Sequence, residues 1–543
     1  MFDAYSFLCY TYPRVFLFWE RQERSIMFCK TYSAVLLGME AVTVQVEADV
    51  RNGLPQLQMV GALASEAKEA RERVRVAIEN AGFRLDPKHI TVNLSPADIR
   101  KEGTSFDLAT AVSILAAFGI IPEEQTVGCM FAGELSLDGK LNKVPGILPM
   151  AGLAAREGFR KMLVPKGNAG EAALQGEVPV YGMESLMDVV DFLTERRKQE
   201  PEQPLNPEIL KKHQKEQERG ARQDLGDIIG QAAAKRALVI AAAGGHHLLM
   251  IGPPGSGKTA LANCMPSLLP EISFDEMLEL STIYSVAGQL KNEMQYVKER
   301  PFQAPHHAAT QAALLGGGRT AKPGLVSLCH HGVLFLDELT EFKQEVLETL
   351  RQPLEEHEVT VSRLQATYTY PAAFQMIAAM NPCPCGYFPD RHRCNCSPHQ
   401  IRRYIGKISQ PILDRIDMMI EVFPVEYEKL RKRERTESSE ELRQWVARAR
   451  KRQAERSGKQ KFHLNAELTR REVEEVCVFD EEAEETLHQL FRNNEFSTRR
   501  YYRILKLART IADLENCEEI KKTHLVEAYS YCNVGKKYWR VEE

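Results

Sequence analysis

Three stretches of the chain carry different hydrophobic rhythms. From residue 31 to 193 the rhythm is mixed. Val44, Val46 and Ala48 alternate with polar neighbours, as a half-buried strand requires, and Ile90, Val92 and Leu94 repeat the pattern. Between them the run from Ala67 to Ala81 has helical spacing and stops at Gly82. Residues 195–224 are rich in Lys, Glu, Gln, Arg and Pro and poor in large apolar side chains, which predicts a solvated linker. From 225 to 424 short strand-like runs, apolar apart from Gln375, stand at 248–251, 333–336 and 375–380. Such runs read as strands buried on both faces, and hence as a parallel α/β sheet. Beyond 425 strand character fades. Ile504, Leu507, Ala508 and Ile511, and then Leu525, Ala528 and Tyr531, fall at helical spacing. The predicted organisation is a mixed α+β domain at 27–193, a linker at 194–224, an α/β core at 225–424 and a small helical domain at 425–543.

Composition narrows the class without naming a chemistry. With 44% hydrophobic and 27% charged residues, the 543-residue chain has the make-up of a soluble globular protein with room for large cores. A formal net charge of −4 excludes a globally basic protein, so any contact with nucleic acid must be local. No apolar run reaches the ~18 residues of a membrane span, and no membrane partner is expected. The twelve cysteines are scattered, several in apolar settings (Cys129, Cys264, Cys329, Cys477, Cys532), which fits free thiols in a reducing cytoplasm. Residues 1–26 crowd aromatic side chains around Pro13 and Arg14 but lack the parts of a signal peptide. They read as a non-native upstream extension with Met27 as the natural start; a short membrane-surface anchor is the alternative.

Chemistry first becomes specific after the 248–251 run. Gly252, Pro253, Pro254, Gly255, Ser256, Gly257, Lys258 and Thr259 fit G-x-x-x-x-G-K-[ST], a loop whose backbone N–H groups cradle phosphates. Lys258 supplies a charge for the β/γ-phosphates and Thr259 a hydroxyl for Mg²⁺, so ATP and Mg²⁺ are the expected ligands. The 333–336 run ends in Asp337 and Glu338. Acids at the carboxyl end of such a strand sit beside the phosphate loop, with Asp337 orienting Mg²⁺ and Glu338 acting as general base on water. Asn381 closes the third run and is placed to hydrogen-bond the attacking water or the γ-phosphate.

Gly230-Gln231, Lys235-Arg236-Ala237-Leu238, the phosphate loop, Arg300-Pro-Phe-Gln-Ala-Pro-His306-His307, Leu334-Phe-Leu-Asp-Glu-Leu and Met380-Asn-Pro-Cys-Pro-Cys-Gly386 occur in that order. Together they resemble the magnesium-chelatase-like branch of AAA+ ATPases. With Tyr32-Ser33-Ala34 and Arg100-Lys101-Glu102-Gly103 upstream, the resemblance is to the YifB/ComM family and covers nearly everything from Met27. It implies an AAA+ P-loop module with a helical lid, a finger at Arg415 given in trans to a neighbour's ATP, and a second sensor at Arg499. A finger acting in trans implies a ring, and the family a homo-hexamer. The first block resembles the Lon-protease fold, and Lys101-Glu-Gly-Thr-Ser105 lines up with the stretch bearing the nucleophilic serine. Leu148 stands where its partner lysine belongs. Without a base Ser105 is not activated, so the domain reads as an inactive scaffold and Ser105 as a cap for the helix that follows. Lys140 and Lys143 remain as displaced alternatives.

Two insertions point toward DNA. Arg319 and Lys322 lie in a glycine-rich basic loop. Val359–Val361 and Thr367–Tyr370 read as hairpin arms around Arg363, with Arg363 placed for phosphate and Tyr368 for stacking on a base. Related helicases line a central pore with such hairpins; an ordinary surface hairpin is the other reading. Cys383, Cys385, Cys394 and Cys396 form two C-x-C pairs, which leaves structural Zn²⁺ and unligated thiols both open. The expected function is an ATP-driven hexameric DNA helicase acting on single-stranded or branched DNA in branch migration. A chelatase-type protein-remodelling ATPase and a Lon-like protease are the alternatives.

Overall fold

A computed structural model of the chain describes residues 28–62, 65–205, 223–290, 295–318, 321–362, 367–427, 437–457, 464–493 and 497–539. The proposed extension at 1–26, together with Arg319 and Arg363, lies outside these residues. The chain forms two compact units, one of 1–206 with 284–296 and one of 207–283 with 297–543.

The first unit is built on a mixed seven-stranded sheet. Its strands are β1 (Phe28–Leu37), β2 (Glu40–Arg51), β3 (Gln56–Val60), β4 (His89–Ser95), β5 (Cys129–Phe131), β6 (Lys161–Pro165) and β7 (Val180–Met183), in the order β3-β4-β2-β1-β5-β6-β7. β1 and β2 pair antiparallel from Phe28↔Asp49 to Leu37↔Glu40. The alternation read in the sequence is visible here: Val44, Val46 and Ala48 are buried while their neighbours are partly exposed. The amphipathic helix is α1 (Ser65–Asn80), and α2 (Asp107–Ala117) is buried along its whole length. A helix sequestered on every face explains why its sequence shows little polar periodicity.

The second unit holds a five-stranded, all-parallel sheet. Its strands are β8 (Leu248–Ile251), β9 (Phe302–Gln303), β10 (Val333–Leu336), β13 (Gln375–Met380) and β14 (Met418–Glu421), ordered β9-β10-β13-β8-β14. β11 (Glu358–Ser362) and β12 (Thr367–Pro371) form a separate antiparallel hairpin. Every residue of β8, β10 and β13 is buried, as unbroken apolar runs require. The register decides the site. Ile251 lies opposite Met380, and Leu336 opposite Ala378, so the three chains leave the sheet at one edge.

The helical segment closes against the same core, which includes Val446, Leu507, Ile511 and Leu525 together with Ala237, Leu248 and Met250. A buried polar network reinforces this packing. Arg456 and Arg509 both pair with Asp513, at 2.5 and 3.0 Å, and Asn465 donates to Asp513 Oδ2 at 2.9 Å. His246, just ahead of β8, shares a 2.8 Å hydrogen bond with Thr510. Removing one partner from such a buried pair costs about 3–5 kcal/mol, so the network holds the last helices in one arrangement.

Candidate functional site: a phosphate loop at the sheet edge

After Ile251 the chain turns through residues 252–257 into a short helix that starts at Lys258. Gly255 and Gly257 have φ of +74° and +92°, where a side chain is strained, and a Cβ on either would meet nothing within 4 Å. The loop is therefore left-handed where backbone N–H groups must turn inward, with open space above it. Lys258 is buried and its ammonium donates to Gly252 O (2.7 Å), Pro253 O (2.9 Å) and Asn381 Oδ1 (3.3 Å). Burial lowers its pKa, and the nearby charges of Asp337 and Glu338 oppose that shift. A buried cation hydrogen-bonded to neutral oxygens is a ready partner for an anion.

The acids stand across the edge. Thr259 Oγ1 donates to Asp337 Oδ2 at 2.8 Å, and the Glu338 N–H donates to Asp337 Oδ1 at 2.9 Å. A hydroxyl and a carboxylate side by side suit Mg²⁺. Glu338 has φ 50° and ψ 48°, a left-handed conformation costly for a residue with a side chain. That turn leaves its carboxylate 58% exposed, with His307 Nδ1 3.6 Å away. Glu338, His307 and Asn381 line one open cleft of about 670 Å³, along with Glu341, Arg403 and Lys407. His307 stands in a motif quoted above but without a role, because only the tertiary structure puts it on Glu338.

Arg415 and Arg499 gather elsewhere. Arg415 pairs with Glu355 and donates to Pro411 O at 2.9 Å, while its buried Nε has no hydrogen-bond partner among the described residues. Arg499 lies 3.9 Å from the same Glu355 and 3.5 Å from Asp414. Among the described residues neither arginine hydrogen-bonds to Lys258, Thr259, Asp337 or Asn381. The structure thus brings the two together on a shared acidic anchor, Glu355.

Three family models match in sequence order. They are a model of subunit ChlI of magnesium chelatase at 46–168, the magnesium chelatase subunit ChlI model at 224–430 and the ChlI C-terminal model at 436–532. The competence protein ComM of Haemophilus influenzae is 43% identical over 503 residues, covering 92% of this chain and 96% of that one. The chain belongs to the magnesium-chelatase-like YifB/ComM family. The uncharacterized protein YifB of Escherichia coli is 40% identical over 502 residues, again 92% of this chain and 96% of its own. An archaeal Lon protease of Methanothermobacter thermautotrophicus is 29% identical over 136 residues, 24% of this chain and 21% of that one. Membership of this AAA+ family makes the chain an ATPase of the ComM type that uses ATP and Mg²⁺, and the fold is the α/β AAA+ module preceded by a Lon-like block.

Other features of this YifB/ComM protein refine the sequence reading. Ser105 does not cap α2. Phe106 occupies the cap without a side-chain bond, and Ser105 Oγ donates to Ala34 O at 3.3 Å. The cap reading failed because a strand carbonyl distant in sequence captured the hydroxyl. Leu148 is fully buried. Lys140 pairs with Asp138 at 3.1 Å and Lys143 donates to Leu290 O at 3.4 Å, so neither hydrogen-bonds Ser105. The loop holding Lys322 forms a two-residue ladder with Gly316–Gly317, and Tyr370 OH donates to Ala321 O, tying that ladder to the β11/β12 hairpin. Lys322 is exposed and Tyr368 half-exposed, opposite Val361. The four thiols Cys383, Cys385, Cys394 and Cys396 lie within 4.8 Å of one another, with Sγ–Sγ distances of 3.3 Å for Cys383–Cys385 and 3.7 Å for Cys383–Cys394. An S₄ tetrahedron with ~2.3 Å zinc bonds has edges of about 3.8 Å. This loop also abuts the phosphate loop: a Cβ at Gly386 would come within 2.4 Å of Pro254. Among the described residues no helix is long and apolar enough to cross a membrane.

Proposed function

We propose that this chain is a ring-forming, cytoplasmic ATPase that moves on DNA and drives branch migration, with six copies per ring. The observation that carries the reading is that the candidate catalytic residues fall into two contact groups. Lys258, Thr259, Asp337, Asn381 and Glu338 share one sheet edge, while Arg415 and Arg499 converge on Glu355. A site of this kind is completed by the arginines of a neighbouring copy. In each subunit the loop amides and Lys258 hold the phosphates, and Glu338 takes the proton of a water oriented with Asn381. The neighbour's Arg415 and Arg499 meet the charge that spreads over the transferring group. Thr259 and Asp337 would hold Mg²⁺, which neutralises phosphate charge when bound.

Two linked hairpins carry Lys322 and Tyr368, and the sequence adds Arg319 and Arg363 in the same two segments, which together would offer cations and an aromatic face to a nucleic-acid strand. The competence protein named among the relatives supports DNA as the track. The Lon-like block at 27–193 serves as an inactive scaffold, joined by the 194–224 linker to the core at 225–424 and the lid at 425–543. The deciding experiment measures ATP hydrolysis with and without a synthetic three- or four-strand junction and follows strand exchange on it. Junction DNA should stimulate hydrolysis and ATP should drive exchange, both absent in Lys258→Ala. Unstimulated hydrolysis with no exchange would sink the DNA reading in favour of a chelatase-type remodelling motor.

The four-cysteine loop is read as a structural zinc site that fixes the segment after Asn381 against the phosphate loop. Its thiol spacing and the Gly386–Pro254 approach support this. Metal analysis of purified protein should find one zinc per chain, and none in a Cys383→Ser/Cys394→Ser variant. A metal-free protein with full ATPase rate would exclude it.

A further inference from the structure

The cleft beside Glu338 contains a cation that the ATPase chemistry above leaves unused. Residues 398–405 form a helix whose start is fixed by a reciprocal capping box between Ser397 and Gln400. Gln400, Arg403 and Tyr404 lie at i, i+3 and i+4, one helical face, and all three line the cleft with Glu338 and Asn381. The other basic side chains there have acidic partners. Lys407 lies 3.6 Å from Glu341, and His307 lies 3.6 Å from Glu338. Arg403 is exposed and forms no ion pair among the described residues. Gln400 Oε1 accepts from the Ser397 N–H, which leaves the amide nitrogen as a donor.

An arginine without an acid, flanked by an amide donor, in a cleft shared with a general base and an asparagine, is suited to a small tetrahedral oxyanion. One such anion is released beside Glu338 in every turnover. Hydrolysis forms a bond from water oxygen to the γ-phosphorus and breaks the bond to the ADP oxygen. The water's proton passes by way of Glu338, and inorganic phosphate is left on the cleft side. ADP stays on the loop and on Lys258. We propose that Arg403 is a third arginine of the ATPase site, contributed by the same subunit, that receives the inorganic phosphate as it leaves Glu338 and Asn381. The proposal rests on the ATPase reading above and adds to it a product site.

The test compares parent, Arg403→Ala, Arg403→Lys and Arg402→Ala, the last removing a neighbouring exposed cation that does not line the cleft. Inhibition of hydrolysis by added inorganic phosphate and by ADP is measured separately for each. Loss of Arg403 should weaken phosphate inhibition by about tenfold or more, the scale of a charge-assisted hydrogen bond. ADP inhibition should be unchanged, Arg403→Lys intermediate, and Arg402→Ala like the parent. Phosphate inhibition equal in parent and Arg403→Ala overturns the proposal, as does equal weakening by phosphate and ADP or a parent insensitive to phosphate. Thermal melting with ADP, with and without phosphate, gives a readout independent of turnover and shows whether Arg403→Ala is folded. A parent that hydrolyses no ATP would count against the ATPase reading, and the phosphate-dependent melting shift, present in the parent and lost in Arg403→Ala, would still decide the role of Arg403.

Discussion

Replacing Arg415 with alanine is expected to leave ATP binding intact and to cut hydrolysis by about 10³–10⁵-fold, the range for an arginine finger. The side chain is held by Glu355 and by Pro411 O and makes no hydrogen bond to the phosphate loop among the described residues, so its removal should leave that loop intact. The decisive form of the experiment mixes two inactive proteins. Arg415→Ala subunits keep Lys258, and Lys258→Ala subunits keep Arg415. Where the two meet in a ring, some interfaces have both groups, and activity should reappear with a maximum at intermediate ratios. Full rate in Arg415→Ala alone, or no recovery on mixing, would remove the in-trans assignment. Arg499 shares the same anchor, so Arg499→Ala should follow the same complementation pattern.

Glu338→Gln is expected to bind ATP as tightly as the parent and to lose about 10²–10⁴-fold in turnover, the contribution of a positioned general base. The amide is nearly isosteric, and the Asp337–Thr259 pair that would hold Mg²⁺ does not involve the Glu338 side chain. Equilibrium binding of a fluorescent ATP analogue combined with single-turnover hydrolysis separates the two effects. A variant that loses binding in parallel with turnover would place Glu338 in nucleotide retention instead of proton transfer.

These two variants probe groups of unequal legibility. Asp337, Glu338, Asn381 and the phosphate loop were readable because each follows a short run buried on both faces. The strand, its carboxyl end and the residue after it are adjacent in sequence, so local pattern and local chemistry coincide. Arg415 and Arg499 had no such signal. Their assignment came from family resemblance, and their shared contact with Glu355 joins three segments far apart in the chain. Ser105 shows the opposite failure. A serine ahead of a helix obeys the capping rule locally, but its hydroxyl donates instead to the carbonyl of Ala34. His307, half-buried, and Arg403, exposed, are polar residues whose neighbours are apolar or charged in no special order, and nothing in their spacing marks a cleft.

The sequence by itself predicted a phosphate loop between β8 and the helix beginning at Lys258, and it determined that two acids and an asparagine stand at parallel strand ends and that the chain belongs beside the magnesium-chelatase-like ATPases. The tertiary structure alone decided which side chains meet. It placed Asn381 on Lys258, His307 on Glu338 and both arginines on Glu355, and it opened the cleft that Arg403 lines. The physical reason is one of range. Strand burial and loop conformation follow from neighbours a few residues away, whereas a contact between distant charged groups depends on how whole sheets and helices pack.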